Sequence, residues 1–115
     1  MMADDVIYID MPDGVKRVMG NEKLYVRLLT KFRDGTNLSE IEAAFAEGNM
    51  EKAQNATHTV KGVAANLSLS ELFKQCLALE SQIKARVLDT ARMETVKTVF
   101  AATISEVNKV IADHV

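Results

Sequence analysis

Residues 56–71, ATHTVKGVAANLSLSE, contain His58, one of the two histidines in the chain. A neutral imidazole is a competent nucleophile near pH 7, because histidine ordinarily titrates near about 6.5. The positions three, four and seven residues later share a helix face with His58, and they hold Lys61, Gly62 and Ala65. This set predicts an accessible imidazole with one cation a turn away and little side-chain bulk beside it.

Three members of this set also have a simpler interpretation, and for His58 it is an idle surface histidine. A glycine inside a helix costs about 1 kcal/mol relative to alanine, so Gly62 is either neutral at a tolerant surface position or makes room for something approaching His58. Lys61 either attracts a phosphoryl oxygen or is a solvated lysine. His114 is interpreted as a tail residue and Cys76 as a core residue, and their separation from His58 makes a metal site improbable.

A helical wheel of residues 50–67 indicates the direction of His58. Most apolar residues of this segment fall within roughly 60° of the direction opposite the histidine. They are Ala53, Ala56, Val60, Val63, Ala64 and Leu67. A histidine used for packing would lie inside this arc, so the pattern predicts that His58 faces away from the core.

Apolar residues recur at helical spacing through almost the whole chain, with alternating steps of three and four that are typical of helices packed nearly antiparallel. The predicted fold is therefore all-α, an antiparallel four-helix bundle with one or more short additional N-terminal helices. The predicted segments are a short extended arm over 6–10 and helices over about 10–20, 21–34, 37–47 and 50–67. A fifth helix is predicted to begin at about 69, with an apolar seam of Leu69, Leu72, Cys76, Leu79 and Ile83. A sixth follows RVLDT, with Met93, Val96, Phe100, Val107 and Ile111 at similar spacing.

Local signals suggest where these helices start and stop. Asp10 is a predicted N-cap, and Gly35 fits the position just after a helix. The pairs Asn37–Glu40 and Ser68–Glu71 both resemble capping boxes. A tight turn at about 68–69 makes an antiparallel hairpin in which His58 lies level with Leu79 and Glu80.

Glu80 could therefore orient the imidazole by accepting a hydrogen bond from its inner nitrogen, Nδ1, or it could simply solvate the helix surface. The inner nitrogen faces the backbone, which leaves Nε2 as the reactive atom.

Composition limits the possible roles. The chain of 115 residues fits a single domain, 1–115, and its formal net charge of −2 gives no sign of nucleic-acid binding. No apolar run is long enough to span a membrane, and the acidic start is unlike a signal peptide, so we expect a cytoplasmic protein, acting as a monomer. The initiator methionine and short flanks favour a free-standing protein over an excised domain.

The motif HTVKG, followed by Leu72, Cys76 and Leu79–Glu80, resembles the histidine-containing phosphotransfer (HPt) domains of multistep phosphorelays. The segments IDMPDGVKRVMGNEKLYVRLLTKF and AFAEGNMEKAQNATHTVKG are also similar to that family, so the resemblance extends over roughly residues 9–110. Family members often have glycine at the positions of Ala65 and Ser68, a departure that bears on the choice of partner.

The resemblance implies a phosphocarrier in two-component signalling that passes a phosphoryl group between receiver-domain aspartates, without autokinase activity. It implies that His58 is the phosphoacceptor, Lys61 the supporting cation and Gly62 the close-approach glycine. The expected partners are response-regulator receiver domains, including those of hybrid sensor kinases. No cofactor of its own is expected, since Mg²⁺ belongs to the receiver.

An alternative remains from a different class of function. The chain could be a helical module that binds a receiver domain or a partner helix without being phosphorylated.

Overall fold

A computed structural model of the chain describes residues 6–114, and in them six α-helices follow one another with no intervening strand. The helices are α1 (Met11–Arg17), α2 (Glu22–Gly35), α3 (Ser39–Glu47), α4 (Met50–Asn66), α5 (Ser70–Lys84) and α6 (Thr90–Asp113). No helix among these residues is both long and apolar enough to cross a membrane.

The long helices α2, α4, α5 and α6 form the bundle, which confirms the predicted fold class. Helix α4 packs against α3 and α5, α5 packs against α6, and α6 packs against α2. The apolar residues spaced by three and four along α5 and at its N-cap are all buried, and they are Leu69, Leu72, Cys76, Leu79 and Ile83. Phe32 of α2 and Phe100 of α6 meet edge to face, with ring centroids 5.7 Å apart.

Side-chain caps begin four of the helices. Asp10, Asn21, Asn49 and Asp89 each accept a hydrogen bond from the backbone N–H three residues later. Such a cap satisfies one of the backbone donors that the first turn of a helix leaves without a partner. The predicted role of Asp10 is confirmed, and the cap at Asn49 fixes where the histidine-bearing helix α4 starts.

Two predicted signals between α2 and α3 are wrong, the position of Gly35 just after α2 and the Asn37–Glu40 capping box. The predicted start of α2 at about Asn21 and end of α3 at about Glu47 agree with the structure. Gly35 is the last residue of α2, and the chain leaves the helix at Thr36. Asn37 does not cap α3 as in a capping box; its Oδ1 accepts hydrogen bonds from the N–H and hydroxyl of Ser39, two residues on. The short polar side chain therefore stabilises the turn before the helix.

The capping box predicted for α5 is also wrong, although the tight turn is present. Ser68 takes a left-handed conformation, with φ of 57°, and its hydroxyl donates to Asp13 Oδ2 at 2.6 Å. The segment 6–10 meets the start of α5 instead, where the Glu71 N–H donates to the Ile7 carbonyl at 3.1 Å. A distant backbone carbonyl thus satisfies a donor that a local side chain was expected to satisfy.

Helix α1 is fixed to the bundle through a glycine. A Cβ added at Gly14 would lie 2.3 Å from Tyr25 Cζ, so the backbone of α1 rests directly on the tyrosine ring. Tyr25 is fully buried, and its hydroxyl donates to the Leu67 carbonyl at the end of α4. Burial raises the pKa of Tyr25 to about 12, so the hydroxyl remains a donor at neutral pH.

Candidate functional site

His58 projects from the outer face of α4. Its side chain is 67 % exposed, whereas Ala53, Val60 and Ala64 on the opposite face are buried. The helical wheel therefore predicted its direction correctly. Thr57, the residue before His58, is fully buried, which the helical wheel was not used to predict.

The inner nitrogen of the imidazole contacts Glu80 on the neighbouring helix. His58 Nδ1 lies 3.1 Å from Glu80 Oε2, as the predicted register of the α4–α5 hairpin allows. Only 3 % of the Glu80 side chain is exposed, so the interpretation of Glu80 as a surface-solvating residue is wrong. A carboxylate at this depth beside an imidazole fixes the orientation of the ring.

Lys61 forms an ion pair with the other carboxylate oxygen of Glu80. Its Nζ lies 2.5 Å from Glu80 Oε1, and its side chain is 18 % exposed. The lysine is thus not merely solvated, because its charge is engaged in a buried pair.

The ionisation of Glu80 decides the tautomer of the ring. Burial raises the pKa of this carboxyl, but the Lys61 ammonium and the hydrogen bond to His58 lower it more, so the net shift is downward. An ionised carboxylate can only accept hydrogen bonds. Nδ1 must therefore carry the proton, and in the neutral ring the lone pair belongs to Nε2, the nitrogen on the solvent side.

Gly62 faces open space one turn along α4. A Cβ built at this position would have no atom within 4 Å apart from its own helix and chain neighbours. Intramolecular packing therefore does not require a glycine here. The missing side chain at Gly62 instead leaves the outer surface of α4 beside His58 without bulk.

Sequence reasoning missed Lys84, which belongs to the same cluster. Its Nζ lies 3.9 Å from Glu80 Oε2, and its side chain is 58 % exposed. The spacing of Lys84 in the sequence could have revealed it. Lys84 lies four residues after Glu80, residues four apart on a helix are neighbours, and Glu80 had already been placed level with His58. Glu80 thus contacts three basic side chains, His58, Lys61 and Lys84.

Both ring nitrogens of the second histidine, His114, contact other residues. His114 Nδ1 contacts the Val110 carbonyl at 2.7 Å, and its Nε2 contacts the carboxylate of Glu22. His114 therefore links the end of α6 to the start of α2, which the interpretation as a tail residue did not foresee. Of the two rings, that of His58 is the one with an outward nitrogen available.

A helical bundle with one outward imidazole, held by a buried carboxylate on the next helix, defines a class of histidine-bearing bundle domains. The chain matches the Hpt domain family over residues 28–109 and belongs to that family. Hpt domains are phosphotransfer modules of phosphorelays that interact with receiver domains.

Among the curated relatives that match are two proteins named probable dual-specificity RNA methyltransferase RlmN. The protein from Clostridium botulinum strain Okra / Type B1 is 24% identical over 102 residues, and that from strain Hall / ATCC 3502 / NCTC 13319 / Type A is 22% identical over the same length. The matches cover 80% of this chain but only 30% of those proteins, so they do not show the activity of this chain. No solved structure matches the chain.

Proposed function

We propose that this protein relays a phosphoryl group between receiver-domain aspartates through His58 in two-component signalling. The observation that carries the proposal is the contact of His58 Nδ1 with the buried, ionised Glu80, which leaves Nε2 outward with its lone pair. The proposal describes residues 1–115 as one phosphocarrier domain, acting as a monomer in the cytoplasm.

The transfer step follows from the tautomer. Nε2 of His58 attacks the phosphorus of a receiver aspartyl phosphate, and the N–P bond forms as the P–O bond breaks. The electron pair of that bond goes to the aspartate carboxylate, which is the leaving group. No proton has to leave Nε2, because the ring proton is on Nδ1 and stays there, donated to Glu80.

The product of this step is a ring cation that carries a phosphoryl group. Glu80 stabilises the cation through the Nδ1–H, while Lys61 stabilises Glu80 from its other oxygen. Phosphoryl transfer requires mainly alignment and charge stabilisation, which suits a protein that offers a fixed ring and little else. The receiver would supply its own Mg²⁺, and the step can run in either direction.

The test is intact-mass spectrometry after the chain is mixed with a phosphorylated receiver domain. We expect a gain of one phosphate that is lost in acid and retained in base, as for a phosphoramidate. Binding of the receiver with no gain of mass would support the non-phosphorylated binding module instead and overturn the proposal.

Gly62→Ala should raise the free energy of unfolding by up to about 1 kcal/mol, because alanine is the better helix former and its Cβ meets nothing. Gly62→Gln should be tolerated in the isolated fold for the same reason. The longer side chain stands one turn from the imidazole, however, and should slow transfer by obstructing the receiver. Urea denaturation and transfer kinetics measure the two effects on the same samples.

Gly62→Ala serves as the control for the larger side chain, since it makes the same backbone change without the bulk. We expect transfer by Gly62→Ala to stay close to that of the parent. Unchanged transfer by Gly62→Gln would show that receivers do not close over this face, and the close-approach role of the glycine would be rejected.

A further inference from the structure

Thr57 carries a buried hydroxyl that has no hydrogen-bond partner. The residue is fully buried, and its Oγ1 makes no hydrogen bond within residues 6–114. A buried hydroxyl in this state costs free energy, whereas a valine of nearly the same shape would fill the space without that cost. Packing therefore explains the shape of this side chain but not its oxygen.

Four other helical threonines bond to their own backbone. Their hydroxyls donate to the carbonyl four residues earlier, and they are Thr30, Thr59, Thr95 and Thr103. This carbonyl is the usual local partner of a threonine inside a helix. The hydroxyl of Thr57 does not make this bond, so its proton is available to an acceptor on another helix.

The position of Thr57 on α4 directs it toward α5. At about 100° per residue, Thr57 and Lys61 are separated by only about 40° around the helix, and Lys61 contacts Glu80 on α5. The antiparallel register that brings His58 to the same carboxylate places the residue before it at the same level. Thr57 is therefore buried between the two helices at the level of Glu80.

Glu80 has an oxygen that can accept this proton. Its Oε2 contacts the inner nitrogen of His58, while its Oε1 contacts Lys61. A carboxylate oxygen has two lone pairs, so Oε1 can accept a hydrogen bond in addition to its contact with the ammonium. Lys61 is partly exposed on a flexible stem, so its contact can exchange with water, whereas the Thr57 hydroxyl is buried.

We infer that Thr57 is a positioning residue for the phosphoacceptor. A turn of its side chain to another staggered rotamer lets the hydroxyl donate to Glu80 Oε1. This bond holds the carboxylate in place when Lys61 exchanges with water, and it keeps Oε2 on the Nδ1–H of His58. The inference rests on the proposed function and deepens it, because it names a residue that acts through Glu80 to keep Nε2 the nitrogen with the lone pair.

The experiment measures the effect of Thr57→Val with and without the lysine. Thr57→Val and Thr57→Ser are made in the full chain and again in the Lys61→Met background, where a side chain of similar length carries no charge. The matched control is Thr103→Val, because Thr103 is equally buried but already donates to the Val99 carbonyl. The readouts are the tautomer of His58 from the NMR shifts of its ring nitrogens, the rate of transfer from a phosphorylated receiver, and the melting temperature.

We expect Thr57→Val to affect the site and the fold in different directions. In the Lys61→Met background it should slow transfer by about tenfold, the low end of what removal of a residue that orients a histidine costs. In the parent chain the loss should be only about twofold, since Lys61 still holds Oε1. The fraction of neutral rings with the proton on Nε2 should rise in the same order, while the melting temperature stays level or rises. Thr57→Ser keeps the hydroxyl and should restore both the transfer rate and the tautomer.

The outcomes separate this inference from the function on which it rests. The tautomer of His58 is measured without phosphate, so it tests the role of Thr57 even if the parent accepts no phosphate and the proposed function fails. Equal effects of Thr57→Val with and without Lys61, or a tautomer like that of Thr103→Val, would overturn the role of Thr57. A higher melting temperature with no change at the ring would show that the hydroxyl is only an unsatisfied buried group.

Discussion

His58→Gln is expected to abolish phosphate uptake while the fold is retained. The amide of glutamine has no nucleophilic nitrogen, so the acceptor atom is lost completely. Its NH₂ group can still donate to Glu80, and the side chain it replaces is largely exposed. The free energy of unfolding should therefore change by less than about 1 kcal/mol.

His58→Ala tests the same atom with a different structural consequence. It also removes a hydrogen-bond donor from the buried Glu80, which keeps its contacts with Lys61 and Lys84. A loss of about 1 kcal/mol is expected, larger than for the glutamine variant. Intact mass after reaction with a phosphorylated receiver and urea denaturation measure the two quantities.

The control for both variants is His114→Gln, which removes the other histidine. This variant should accept phosphate like the parent, because both nitrogens of His114 are already engaged. Phosphate uptake by His58→Gln comparable to that of the parent would place the acceptor elsewhere. Unfolding of the variant would show instead that the ring has a packing role.

The direction of His58 and the level of Glu80 could be predicted because both follow from regular geometry. The rotation per residue of a helix determines which side chains share a face with His58. An antiparallel hairpin with a short turn determines which residue of α5 stands opposite. Periodicity and one turn position were enough for these two facts.

The burial of Glu80 could not be predicted in the same way. Its position in the sequence, next to Leu79, marks the border of the apolar seam, where a carboxylate can face either solvent or the core. It is buried because Lys61 and His58 from α4 reach over it. That arrangement depends on side-chain conformations on two helices, which the pattern of one helix does not contain.

The errors at helix starts have a related cause. A capping box is a local pattern, and Ser68–Glu71 satisfies it in sequence. In the fold, the Ser68 hydroxyl donates a hydrogen bond to Asp13, 55 residues earlier in the chain, and the Glu71 N–H donates one to the Ile7 carbonyl. Contacts of such long sequence separation outcompete the local pattern, and nothing near Ser68 in the sequence indicates them.

Gly14→Ala is expected to destabilise the protein by about 2–3 kcal/mol or more, the range for overpacking a site that cannot relax. The added Cβ would lie 2.3 Å from Tyr25 Cζ and 2.5 Å from the tyrosine hydroxyl, far inside contact distance. The ring cannot move aside, since it is fully buried and its hydroxyl is bonded to the Leu67 carbonyl. Helix α1 would have to shift away from the bundle instead.

The same substitution at Gly62 provides the opposite control, because each variant adds one methyl group inside a helix. Gly62→Ala should raise the urea midpoint, and Gly14→Ala should lower it, since one Cβ meets open space and the other a buried ring. Equal midpoints would contradict the packing of α1 on Tyr25. Because a Cβ at Gly14 meets Tyr25 and none of the residues that contact Glu80, phosphate uptake per folded molecule should stay unchanged, which separates loss of stability from loss of the phosphotransfer site.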